Sequence, residues 1–102
     1  MNDETINRIE LLDTGELLLG LESQGKPEYQ YVYREAAGVY WDQKRHGFKS
    51  TPLKEKTCSH WYKHINNAVQ SELGIELKLA ENVFWSNVPE QEKEAIKHEK
   101  AI

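Results

Sequence analysis

Residues 57–88, TCSHWYKHINNAVQSELGIELKLAENVFWSNV, constrain the fold more than any other stretch of the chain. Trp61, Ile65, Ala68, Val69 and Leu73 recur at helical spacing, so one face of a helix is continuously apolar. Gly74 follows at once, where a helix end calls for a residue that tolerates the left-handed conformation. The period then changes to two. Ile75, Leu77 and Leu79 point one way and Glu76 and Lys78 the other, the alternation of a half-buried strand. A helix, a glycine stop and a strand form a unit that must pack on something else.

The earlier half supplies that partner. Residues 1–5 are polar and are expected to fray. Ile9 and Leu11 alternate with Arg8 and Glu10, Asp13-Thr14-Gly15 makes a turn, and Leu17, Leu19 and Leu21 share a face of the next strand, which together predict a β-hairpin. Gly20 within that strand points to a bulge or a close backbone approach. After the polar connection Ser23–Pro27, a second strand pair is predicted over Tyr29–Arg34 and Val39–Gln43, joined by residues 35–38. Lys44–Lys49 reads as a basic turn pivoting on Gly47. Thr51-Pro52 signals a helix start, with Thr57 or Ser59 as a second possible cap. Beyond the central unit, Ala80-Glu81-Asn82 reads as a turn and Val83–Trp85 as a short strand or an apolar loop. Pro89 and the acids after it open a last helix, whose thin apolar content (Ala95, Ile96, Ala101, Ile102) predicts weak docking. The order predicts one α+β domain over residues 1–102. An antiparallel sheet of about five strands, two hairpins plus a strand after the helix, packs on one main amphipathic helix, with a short C-terminal helix.

Composition limits what such a domain does. Ten of the 102 residues are aromatic, enough for a core without disulfides. The net charge of −4 argues against a dedicated nucleic-acid binder. The single cysteine, Cys58, fits a reducing compartment, and no stretch has signal-peptide or membrane-spanning character, so a soluble cytoplasmic protein is expected.

The block HWYKHINNAVQSELGIELKLAENVFWSNVPEQEK resembles small orphan proteins carried by mobile integron gene cassettes, through its amphipathic helix, its ELGIELKL junction and its Trp-Ser-Asn-Val-Pro approach to a final helix. The resemblance implies oligomers, and it carries no catalytic motif to transfer.

Candidate chemistry is sparse. His60 and His64, four apart with Cys58 nearby, have metal-ligand spacing, but Trp61 stands where a zinc-protease motif needs Glu. The reading is therefore no metal and no cofactor. Cys58 as a nucleophile needs an activating base, and neither a phosphate loop nor a nucleophile elbow is present, so no enzyme activity is indicated. The basic turn with Tyr40, Trp41 and Phe48 mixes cations and aromatics as single-strand nucleic-acid sites do; the acidic chain weighs against it. Tyr29, Tyr31 and Tyr33 would share one strand face, which reads equally as an interface, where tyrosine is enriched, or as one wall of the core. The expectation is a binding protein, a homo-oligomer with a dimer favoured, whose contact surface includes Tyr29, Tyr31, Tyr33, Tyr40, Trp41, Arg45 and Phe48. A further unknown protein or small-molecule partner is allowed. The alternative is a small-molecule or catalytic pocket lined by Trp41, Trp61 and Trp85.

Overall fold

A computed structural model of the chain describes residues 2–34, 38–52 and 57–100. Helix α1 spans Cys58–Leu73. Thr57, extended and just outside it, accepts a hydrogen bond from the His60 amide at 3.1 Å and so caps the first turn. The cap is thus the second of the two expected; of the Thr51-Pro52 signal, residues 53–56 lie outside the described residues. At the other end Gly74 adopts φ 68°, and its amide donates to the Gln70 carbonyl at 3.0 Å. Cys58, Tyr62, Ile65, Ala68 and Val69 are buried, while Trp61 and Leu73 border the core, so the inward face is rotated toward Tyr62.

The sheet contains β1 (Asn2–Leu11), β2 (Leu17–Leu21), β3 (Tyr40–Asp42), β4 (Gly47–Lys49) and β5 (Ile75–Ser86) in the order β3-β4-β2-β1-β5. β1 and β2 form the predicted hairpin, with Gly15 at φ 91° in its turn. The sheet is mixed rather than antiparallel, because β5 runs parallel to β1. The cause is positional. Ile75, the residue after the helix stop, stands opposite Asn2, so α1 ends where β1 begins and β5 must run in the same direction. This pairing also corrects the expected fraying of residues 2–5, which are ordered as strand beside β5, with Lys78 3.1 Å from Asp3.

Tyr29–Arg34 is not a strand. Pro27–Arg34 forms a 3-10 helix, in which residues three apart share a face. Tyr29 and Val32 therefore both point into the core, and Tyr31 and Tyr33 point to solvent. The connection expected at 35–38 lies mostly outside the described residues. The second hairpin is β3–β4, turning through residues 43–46, with His46 rather than Gly47 in the left-handed region at φ 53°. Gly47 is needed for closeness: a Cβ there would lie 2.6 Å from the Leu19 carbonyl oxygen.

The expected turn at Ala80–Asn82 is an excursion within one long strand that includes Val83–Trp85. Between successive registers β1 advances from Ile6 to Arg8 while β5 advances from Leu79 to Phe84. On its other side β1 has one extra residue, Asn7, against β2. That bulge lets Ile6 and Ile9, three apart, both face the core. Trp41, Phe48, Leu19, Ile9 and Trp85 then stand in one row across all five strands, on the face covered by α1 over β2 and β5 and by the 3-10 helix over β3. Helix α2 (Glu90–Lys100) docks through Ile96, which is fully buried despite its polar neighbours; Ala101 and Ile102 lie outside the described residues. Glu92 of α2 accepts a hydrogen bond from the Ser59 amide, closing a second free donor in the first turn of α1.

Candidate functional site

The expected contact residues divide between core and surface. Tyr29 and Phe48 are buried and make ring contacts with Trp41, whose ring lies 5.2 Å from Tyr29 edge-on and 4.9 Å from Phe48. The Tyr29 hydroxyl donates to Glu4, which also accepts from Ser23. Burial, then the Glu4 carboxylate, pushes the Tyr29 phenol well above its ordinary range. These three aromatics close the core at the β3 end.

Tyr31, Tyr33 and Tyr40 remain exposed, at 39%, 50% and 44%. The 3-10 helix packs against β3, so they sit on neighbouring elements. The Arg34 guanidinium lies 4.4 Å from the Tyr31 ring centroid, holding a flat cationic edge beside it. Arg45 is exposed and bonded to Asp42 at 2.9 Å.

The sheet face away from α1 mixes charge with apolar groups: Leu18 is buried there, and Tyr40 and Phe84 are exposed among Arg8, Glu10 and Lys49. Arg8 crosses Gly20, where a Cβ would come within 2.6 Å of its guanidinium carbon, and donates to the Arg45 carbonyl at 2.9 Å. This is the close approach that a glycine inside a strand signals. Lys49 reaches both Glu16 and Asp42. Burial works to raise the Asp42 carboxyl, but hydrogen bonds from Arg45 and the Lys49 charge overcome it and hold the group below its usual value.

The three tryptophans make separate ring contacts. Trp41 joins the Tyr29–Phe48 cluster, and Trp61 packs edge-on to His60 and His64. Trp85 lies under Lys93, 5.6 Å from its ring centroid, in a groove of about 710 Å³ between the β5 excursion and α2. Sequence reading missed this groove, because the excursion that opens it looks like an ordinary turn.

His60 and His64 stack with ring centroids 6.3 Å apart, and among the described residues no group of three His, Cys, Asp or Glu side chains gathers around a common point. Cys58 is buried; desolvation, then the Glu92 charge, raises its thiol pKa, the reverse of what an activated nucleophile requires. Among the described residues no helix is long and apolar enough to cross a membrane.

The family model of Integron Cassette Protein Hfx_Cass5 matches residues 20–83. Among solved structures the chain is similar to an Integron Cassette Protein Hfx_Cass5 from the mobile metagenome of the North West Arm Sewage Outfall, at 30% identity over 100% of this chain and 99% of that one, with a TM-score of 0.44. No curated protein matches the chain. The matched segment runs from β2 through α1 into the β5 excursion, well over half of the chain, and the chain belongs to the Hfx_Cass5 family of integron cassette proteins.

Proposed function

We propose that this protein works by binding, as a homo-oligomer, with the exposed tyrosines beside β3 as a contact surface. The observation that carries the reading is that Tyr31 and Tyr33 of the 3-10 helix and Tyr40 of the adjoining β3 are each more than a third exposed, with Arg34 stacked on Tyr31 and Tyr40 on the outer sheet face beside Lys49. Tyrosine and arginine supply much of the energy at protein interfaces: tyrosine buries a large flat surface at little entropic cost, and arginine adds a planar, multiply bonding cation. Of the rest of the expected set, buried Tyr29 and Phe48 and partly buried Trp41 support that surface from behind.

Sedimentation of the wild type against Tyr31→Glu and Tyr40→Glu tests it. The wild type should self-associate at tens of micromolar, and a charged variant should shift to a smaller folded species. A wild-type monomer, or charged variants of unchanged mass, would refute it.

A second reading rests on the groove at Trp85, whose aromatic floor and flanking Lys93 and Lys97 suit a small planar anion. Thermal-shift screening with aromatic carboxylates checks it, because a ligand that binds only the folded state raises the melting temperature.

A further inference from the structure

We propose that the straight half of β5, residues 75–79, pairs antiparallel with the same segment of a second copy across a two-fold axis at Leu77.

β5 is the terminal strand of the sheet and pairs with β1 alone. Among the described residues no further backbone hydrogen bond reaches it. Such an edge offers alternate amides and carbonyls to any strand that fits.

The side chains select the occupant. With the axis at Leu77, Ile75 stands opposite Leu79 of the second copy, and Glu76 stands opposite its Lys78. Ile75, Leu77 and Leu79 are buried on the core face, and Glu76 and Lys78 are exposed on the outer face. Each apolar residue therefore meets an apolar one, and both charged pairs have opposite sign. Other registers fail. A shift of the axis by half a residue sets apolar against charged positions on opposite faces. An axis at Glu76 places Glu76 against itself, and one at Lys78 places Lys78 against itself.

The charges within one copy are left unbalanced in the way this pairing corrects. Asp3 of β1 is directly beside Glu76 in the parallel ladder, and Lys78 is drawn to Asp3 at 3.1 Å. Among the described residues Glu76 makes no direct ion pair, and its charge reaches Lys78 of its own copy only at longer range. Lys78 of the second copy would supply one, twice per interface by symmetry. The excursion after Leu79 ends the straight segment and so fixes the length of the ladder.

This contact is independent of the tyrosine surface, and two different two-fold contacts in one chain give an assembly larger than a dimer. The test is sedimentation at tens of micromolar of wild type, Lys78→Glu, Glu76→Lys and the double exchange. Each single reversal should weaken this contact roughly tenfold or more, by placing like charges opposite each other. The double exchange should restore it. Tyr31→Glu should still pair through β5. Single variants of unchanged mass would overturn the proposal, and so would a double exchange that fails to rescue, or a wild-type monomer. If the wild type is a dimer that Lys78→Glu dissociates while Tyr31→Glu does not, the edge contact stands and the tyrosine contact falls. Amide exchange is a second readout that needs no substitution. The outward amides of residues 75–79 should exchange more slowly as protein concentration rises; rates independent of concentration would overturn the pairing.

Discussion

The two edges of the sheet are built in opposite ways. β3 is three residues long and is covered by the 3-10 helix, and behind it Trp41, Phe48 and Tyr29 pack ring against ring. β5 is twelve residues long, lies open along its outer side, and is interrupted by an excursion rather than covered. A short edge can be sealed by aromatic side chains from one neighbouring turn. A long one exposes more backbone than such a plug covers, and it must be broken by a bulge, guarded by charge or given a partner. In this chain, aromatic packing is concentrated at the first edge and unpaired strand backbone at the second.

The largest test of that contrast is a pair of truncations in the row that spans the sheet. Phe48→Ala, at a fully buried site, should cost about 3–5 kcal/mol in urea denaturation. Trp85→Ala, at the partly buried end of the row, should cost about half as much, since part of its ring already faces the groove. Equal losses would show the β5 edge to be as tightly closed as the β3 edge.

Tyr29→Phe should cost about 1.5 kcal/mol at neutral pH through loss of the hydrogen bond to Glu4. The phenol is harder to ionise in the folded chain than in the unfolded one. Its contribution is therefore whole below about pH 10 and is lost as pH rises through and beyond that value. The variant should show a shallower decline in stability at alkaline pH, and an unchanged slope would deny the phenol its place in the seal.

Asp42→Asn should cost about 1 kcal/mol, through the weakened Arg45 and Lys49 contacts of the β3–β4 turn. Because the folded-state pKa is depressed, this stability is present above the ordinary carboxylate pKa of about 4 and is lost as pH falls from there through the lower folded-state value. Acid titration followed by circular dichroism should show a flatter limb for the variant.

The smallest effect belongs to the open edge. Lys93→Ala removes a cation from above Trp85 at a half-exposed site and should cost about 0.5 kcal/mol. A loss several times larger would mean that α2 closes the groove in solution.

The central helix was legible because its apolar spacing, its cap and Gly74 agree. So was the first hairpin, where the turn residues and the alternation of Leu17, Leu19 and Leu21 point to one answer. Tyr29, Tyr31 and Tyr33 misled because alternate aromatics imitate a strand. The competing signal was present in Pro27 and Glu28 at the start and in Tyr29 and Val32 three apart, the period of a 3-10 turn. The parallel union of β1 and β5 was not legible, since residues 2–5 carry little apolar pattern and take their order from a strand about seventy positions away. The same remoteness hid the groove, whose walls come from the β5 excursion and α2. Which of the tyrosines face solvent was not legible, because core and interface readings fit the series equally and the separation of Tyr31 and Tyr33 from Tyr29 depends on the helical turn.

That remote pairing has a consequence for synthesis. The ribosome delivers β1 first, together with the β2 that can close a local hairpin on it, yet the other side of β1 stays bare until Ile75–Ser86 emerge. At about 5–20 residues per second, a nascent chain carries that half-completed strand for several seconds. During this interval the bare side of β1 is open to capture by a neighbouring nascent chain, so the vulnerable moment falls before β5 has been translated.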